Sequence, residues 1–188
     1  MWAAVMALRK KALDAAILSN RRVGTEIYRL EINCPFLAQE GVPGQFLQVR
    51  IDGAGLLLRR PLGIAEAYSA TGIVAMYYRI VGKGTAALAE MKPGQTVNCL
   101  GPLGKGFSLQ AERPLLIGGG MGIAPLLLLA QDYAAHGTEL HVYLSARSEE
   151  GLFNRSQFER LGARVTTTTA PSLNVTDRMA EDCRSLKF

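Results

Sequence analysis

The sequence predicts an antiparallel β-barrel followed by the opening strands of a doubly wound parallel α/β sheet. Three observations carry that prediction. The first half of the chain holds short β-rich runs separated by turn residues, at the spacing of a small barrel. From Pro114 the pattern becomes apolar strand, glycine turn and apolar helix, then strand, helix and strand. The length of 188 residues exceeds one ordinary domain and falls short of two complete ones.

The elements follow in order. Asp14–Ser19, Thr25–Asn33, Gln45–Ile51, Ile73–Ile80 and Thr96–Leu100 are rich in apolar and β-branched residues and bounded by turn residues, so they read as strands. Two Pro-Gly-Gln turns, Pro43–Gln45 and Pro93–Gln95, each open a strand. Proline presets φ there and glycine takes the left-handed position. One short helix fits at about Thr85–Met91, after the Gly82-Lys83-Gly84 turn. In the second half, Leu115–Gly119 is a continuous apolar strand, and a glycine turn then leads into a helix running to about Ala135. Leu140–Ser145 reads as a buried strand, Asn154–Leu161 as a helix and Ala163–Thr169 as a third strand. The boundary falls near Gln110–Arg113, giving a barrel over 1–110 and a partial α/β domain over 111–170. Beyond it, the atypical tail 171–188 has room for one short helix and no further βα unit. Three parallel strands leave exposed edges and an incompletely covered face.

Composition excludes several classes. With 48% apolar and 20% charged residues, the chain is too apolar for a disordered one. A chain of this size buries about 70% of its unfolded surface and needs no staples. Cys34, Cys99 and Cys183 are far apart and form no C-x-x-C pair, which argues against a disulfide framework or a zinc site. His136 and His141 lie outside every motif and read as ordinary surface or half-buried residues. At the N-terminus the charges follow the apolar run, the reverse of a secretory signal, so a cytoplasmic location is expected. Pro114–Gln131 carries no charge, but its glycines and prolines suit a buried strand–turn–helix better than a membrane span. The net charge of +5 includes Arg9, Lys10, Lys11, Arg21 and Arg22, with few aromatics among them. That pattern is a solvated basic face and not a nucleic-acid surface.

Four motifs carry candidate chemistry. Gly118–Pro125, GGGMGIAP, lies between a strand and a helix, where backbone N–H groups favour a phosphate. Its spacing is not G-x-G-x-x-G, so a packing turn is the competing reading. Leu57–Ala65, LLRRPLGIA, places Arg59 and Arg60 on opposite faces of a strand. One can grip a phosphate bidentately while the other stays in solvent; a charged edge strand is the bland alternative. Tyr77–Thr85, YYRIVGKGT, offers an aromatic ring for stacking and amides at a helix start. Gly101–Phe107, GPLGKGF, is a glycine-rich loop between the halves.

The order RRPLGI, YRIVGKGT, GPLGKGF, GGGMGIAPL resembles the electron transfer subunit of NAD-dependent (class B) dihydroorotate dehydrogenase, within the ferredoxin–NADP reductase superfamily. The resemblance spans about Asp14–Thr169. It implies an oxidoreductase subunit: a ferredoxin reductase-like FAD-binding barrel, then a nicotinamide-dinucleotide domain. It further implies electron transfer between NAD(H), FAD and a [2Fe-2S] cluster to an FMN-containing catalytic subunit, in a heterotetramer of two of each, serving pyrimidine biosynthesis. Arg60, Pro61, Leu62 and Gly63 match the family's FAD-binding R-P-x-S segment. Tyr78, Arg79 and Ile80 match its Y-R-x segment, with the tyrosine expected near the isoalloxazine and the arginine near the pyrophosphate. Gly84 and Thr85 match the G-T at the helix start. Gly118, Gly119, Gly120 and Gly122 are expected to line the nicotinamide dinucleotide.

Two departures stand out. Gly63 replaces the family's usual serine, removing a side-chain hydrogen bond to the flavin. The C-G-P motif of the nicotinamide domain and the cluster's cysteines are absent, so three cysteines cannot supply the four ligands a cluster needs. No metal site is therefore expected, and no acid–base catalytic residue, because hydride passes directly between cofactors. Two alternatives stay open: a ferredoxin–NADP reductase-like subunit of another redox complex, of sulfide dehydrogenase type, and an FAD-binding module without turnover.

Overall fold

Lys11–Gly24 forms β1, the central strand of a seven-stranded antiparallel sheet. The structure, a computed structural model, describes residues 10–52, 56–108, 111–169, 180 and 184. The expected helix in the tail, the role of Cys183 and the start of the basic cluster at Arg9 lie outside these residues. Strand β1 runs well beyond the predicted Asp14–Ser19 because it has a partner along both edges. Ile27–Asn33 (β2) pairs along one edge and Thr96–Leu103 (β7) along the other. The remaining strands are Phe46–Arg50 (β3), Arg60–Gly63 (β4), Glu66–Tyr68 (β5) and Ile73–Arg79 (β6). Their order is β4-β3-β7-β1-β2-β6-β5.

The sheet closes on itself at the link between its two outermost strands. Only Ile64 and Ala65 separate β4 from β5. The Ile64 N–H donates to the Gln45 carbonyl beside β3 at 2.9 Å, and the Ala65 N–H donates to the Ala75 carbonyl of β6 at 2.9 Å. One dipeptide therefore bonds toward both ends of the sheet and draws its two outermost strands together. The interior is filled by alternate strand residues, among them Ile17, Leu30, Ile32, Leu47, Val49, Val74, Met76 and Val97.

Both Pro-Gly-Gln turns take the expected form, with Gly44 at φ +86° and Gly94 at φ +89°. The glutamines have a visible purpose. Gln45 Oε1 accepts the Val42 N–H at 3.0 Å, and Gln95 Oε1 accepts the Lys92 N–H at 2.6 Å. Each amide side chain satisfies the turn that precedes its strand. Helix α1, Pro35–Glu40, is absent from the sequence reading. It is six residues long, with proline at its start, too short for periodicity to register. Helix α2, Lys83–Ala89, begins two residues before the predicted Thr85.

The second half is a three-stranded parallel sheet in the order β10-β9-β8. Its strands are Leu115–Gly119 (β8), His141–Ala146 (β9) and Arg164–Thr169 (β10). Helices Leu126–Ala135 (α3) and Arg155–Arg160 (α4) supply the crossovers. The glycine turn does not enter α3 directly: Gly120–Ile123 first makes a 3₁₀ turn, and Pro125 then precedes the α-helix. His136 is exposed, whereas His141 is buried at 9%, more deeply than a surface reading implies. The two halves share packing. Leu128 of α3 lies in the barrel's core, while Ala65 and Tyr77 of the barrel lie in the core of the α/β half. Among the described residues, no helix is long and apolar enough to cross a membrane.

Candidate functional site

Among the described residues, three clefts open where the barrel meets the α/β half; two of them gather the motif residues, and the third is lined by Arg29, Glu66 and Tyr68 on one side and Gln131 and Gln157 on the other. The first encloses about 380 Å³. Its barrel wall is Pro61, Leu62 and Gly63 from β4, Tyr77, Tyr78 and Arg79 from β6, then Val81 and Thr85. Met121, Ala124 and Pro125 form the facing wall. Six of the residues singled out in the sequence thus share one cavity: Pro61, Leu62, Gly63, Tyr78, Arg79 and Thr85. Barrel closure explains the grouping, because it brings β4 against β6.

Arg60 stands beside this cleft. Its guanidinium rests on Gly84 at the start of α2, where a Cβ would lie 2.2 Å from Arg60 Nε. Arg60 Nη1 also donates to the Leu58 carbonyl. Gly84 is therefore a seat for a planar cation, and any side chain there would displace it. Thr85 is committed to the turn: its hydroxyl accepts the Val81 N–H at 2.9 Å and donates to the Gly82 carbonyl at 3.1 Å. Leu57, Leu58 and Val81, respectively 95%, 77% and 81% exposed, give this corner an apolar rim that the sequence reading does not contain.

Four expectations need correction. Arg59 is not left in solvent. Its Nη1 donates to the carbonyls of Gln48 and Asn98, each at 3.1 Å, and its Nη2 donates to Asn98 Oδ1 at 2.6 Å. It clamps β3 to β7, because carbonyls at the strand pair outcompete water for a fixed donor fork. Tyr78 is not free to stack on a ring. It is 2% exposed, packs face to face with Tyr28 at 5.5 Å, and donates its hydroxyl to Asn20 Oδ1 at 2.9 Å. Ile80 lines neither cleft, and its N–H donates to the Glu26 carbonyl at 2.9 Å. Gly118 faces the helix and not a ligand: a Cβ there would lie 2.9 Å from Leu126 Cδ1 and 3.1 Å from Ile123 Cα. It lets α3 pack closely on β8.

The second cleft, of about 430 Å³, lies at the C-terminal ends of β8 and β9. In open parallel sheets this is the usual place for a nucleotide. Gly119 and Gly120 line it with Ser145, Arg147 and Ser148. Gly120 holds φ +54° with open space beyond it, and Gly122 is exposed with nothing near its missing side chain. Arg79 lines this cleft as well as the first. The two cavities therefore meet at one exposed guanidinium.

The third cleft is floored by a buried polar cluster. Glu66 accepts from Arg29 twice, Nε to Oε1 at 2.9 Å and Nη2 to Oε2 at 3.0 Å. It also accepts from the Tyr68 hydroxyl at 2.5 Å and the Tyr77 hydroxyl at 3.1 Å. Arg29 pairs in addition with Glu31. Burial would raise the Glu66 carboxyl. The Arg29 and tyrosine hydrogen bonds, with the Arg29 charge, outweigh burial and hold it below the ordinary range. Burial and then the Glu66 carboxylate push the Tyr68 phenol up to about 12, and the same two causes raise Tyr77. Both phenols therefore stay protonated donors at neutral pH.

The described cysteines do not suit an iron–sulfur cluster. Cys34 and Cys99 are both buried in the barrel core. Burial raises both thiols, Cys99 to about 12, whereas a cluster binds thiolates.

Comparison with known proteins agrees with the fold. The oxidoreductase FAD-binding domain family matches residues 15–107, which span the barrel. The electron transfer subunit of dihydroorotate dehydrogenase B (NAD(+)) from Bacillus caldolyticus is 35% identical over 179 residues, covering 92% of this chain and 70% of the relative. The chain belongs to this family of electron transfer subunits. The subunit from Desulforamulus reducens is 38% identical over 162 residues, or 85% of this chain and 62% of its own length. The one from Fusobacterium nucleatum is 32% identical over 163 residues, or 84% and 63%. The chain thus spans under two thirds of the length of these two electron transfer subunits. Among solved structures, the NADH-dependent reduced ferredoxin–NADP oxidoreductase superposes with a TM-score of 0.80 at 29% identity, over 90% of this chain and 63% of that one. Ferredoxin–NADP+ reductase from Plasmodium falciparum shares the fold, with a TM-score of 0.75 at 14% identity, over 93% of this chain and 79% of that one.

The clefts also contain residues outside the expected site set. Tyr77 is one, and strand alternation signals it, since adjacent tyrosines face opposite sides. Ser145, Arg147 and Ser148 are others, signalled by their place at the end of a parallel strand. Glu66 and Arg29 had no signal, because their pairing joins distant strands.

Proposed function

We propose that this chain binds FAD in the first cleft and a nicotinamide dinucleotide in the second. In this reading it carries electrons between them as the electron transfer subunit of a dihydroorotate dehydrogenase B, in the cytoplasm, with an FMN-containing catalytic subunit as partner. The single observation that carries the reading is Arg79, which lines both clefts and so makes two bound cofactors neighbours. Flavin and nicotinamide, when bound, supply the hydride chemistry themselves. The chain's residues bind and orient. Arg60, seated on Gly84, offers a fixed fork for a phosphate. Pro61, Leu62 and Gly63 on the barrel side and Met121, Ala124 and Pro125 on the α/β side line the cavity that would take the flavin. Arg147, Ser145 and Ser148 offer donors to a second dinucleotide beside Gly119 and Gly120. The described cysteines do not fit the family's [2Fe-2S] group, and no step here passes through it.

Titration of the purified chain with FAD tests the reading. A bound-flavin absorption spectrum at one equivalent is expected; no binding at saturating FAD would overturn it. NADH-to-dye turnover by these 188 residues is expected to be weak, because the family's C-G-P motif is missing from them. Co-purification with a dihydroorotate-oxidising subunit supports the assignment, whereas a glutamate synthase-like partner would favour a reductase subunit of another complex.

Gly63 gives a second test. A Cβ there would stand 3.7 Å from Pro125 Cβ, an ordinary contact, so serine fits. Gly63→Ser is expected to tighten FAD binding about threefold to tenfold, the yield of one added hydrogen bond. Unchanged affinity in the same titration would show that this position does not reach the flavin.

A further inference from the structure

We infer that Tyr77 and Gln157 are positioning residues that lock the α/β half against the barrel and thereby set the width of the first cleft. The buried Glu66–Arg29 pair acts as their anchor. The inference rests on the reading of that cleft as a flavin site.

The geometry has three parts. The anchor belongs wholly to the barrel, with Arg29 on β2 and Glu66 on β5. Glu66 holds two phenols, and each phenol oxygen then meets a glutamine of the other half. Gln157 Nε2 of α4 donates to the Tyr77 hydroxyl at 3.2 Å, and Gln131 Nε2 of α3 donates to the Tyr68 hydroxyl at 3.4 Å. These bridges join helices to barrel through short side chains already fixed at one end.

Tyr77 links this joint to the cleft. Tyr77 lines the cavity, its ring packs on Phe153 at 5.0 Å, and its hydroxyl lies in the buried cluster. The cavity's facing wall, Met121, Ala124 and Pro125, belongs to the α/β half. A small rotation of that half about the barrel must therefore move one wall and leave the other in place. A charge-anchored hydrogen bond is directional, and apolar packing permits sliding. The polar joint thus supplies the orientation that the shared apolar contacts cannot.

Gln157→Met and Tyr77→Phe test this. Methionine keeps the volume of glutamine and removes the donor; phenylalanine keeps the ring contact and removes the hydroxyl. Three measurements are made on the full chain loaded with FAD: FAD affinity, iodide quenching of the bound flavin, and amide exchange in α3 and α4. The expected result for each variant is an affinity loss of about fivefold, increased quenching, and faster exchange confined to α3 and α4. Barrel exchange is expected to match the parent, which a general loss of stability would not allow. Parent-like quenching and exchange in both variants would overturn the inference. If the parent binds no FAD, the flavin reading falls, and exchange alone then decides the joint: faster α3 and α4 exchange supports it and unchanged exchange overturns it.

Discussion

Glu66→Leu is expected to destabilise the protein by about 3 kcal/mol, the cost of taking one of two carboxylates from a buried guanidinium and the acceptor from two phenols. The substitution leaves Arg29, whose side chain is 8% exposed, with Glu31 as its remaining carboxylate partner, and its two donors to Glu66 then face an apolar group. It also leaves the Tyr68 and Tyr77 hydroxyls without their acceptor. Arg29→Met is expected to cost a similar amount from the other side. The double variant Glu66→Leu/Arg29→Met removes both charges and is expected to recover much of the loss, because buried pairs often break even with apolar replacements. Urea unfolding of the four proteins measures the cycle. Additive losses in the double variant would show that the two residues are not coupled. Acid adds a second readout. The folded Glu66 carboxyl sits below its ordinary range, so its contribution is present above the unfolded value, roughly 4.3. It is lost as pH falls through the depressed folded value. The parent is therefore expected to lose stability on acidification more steeply than the double variant.

Arg60→Ala is expected to weaken FAD binding by about 10-fold to 100-fold, the worth of charge-assisted hydrogen bonds to a phosphate. The paired control is Arg59→Ala. Its neighbour Arg59 spends its donors on Gln48 and Asn98, so removing it should lower thermal stability and leave flavin affinity nearly unchanged. The two adjacent arginines thus separate by assay: one appears in a flavin titration, the other in a melting curve. Parent-like FAD affinity for Arg60→Ala would place the phosphate elsewhere.

Much of the fold is written locally in the chain. The Pro-Gly-Gln turns announce β3 and β7 through residues adjacent in sequence, and LLIGG announces β8 through an uninterrupted apolar run. Strand β5 escapes notice because Glu66–Tyr68 is three residues long, and it is a strand only by pairing with β6. The candidate site divides in the same way. Pro61, Gly63, Arg79 and Gly120 are legible because short motifs mark them. The fates of Arg59 and Tyr78 depend on Asn98, Asn20 and Tyr28, which reach them only through the folded barrel. Sequence alternation tells which way a side chain points, and the tertiary neighbour decides whether a ligand or the protein itself uses it.

The position of β1 has a consequence for how the chain is made. This strand emerges from the ribosome before the others, yet it lies in the middle of the sheet, with Lys11 opposite Gly101. At ordinary synthesis rates the gap before β7 becomes available is on the order of seconds. During that interval β1 can pair only with β2, and its other edge waits unsatisfied. The waiting segment is Lys11–Ala16, and exposed Lys11, with Lys10 just before it, then acts as a guard that discourages a foreign strand from docking. The lysines at the start of β1 thus belong to the history of the nascent barrel as much as to its finished surface.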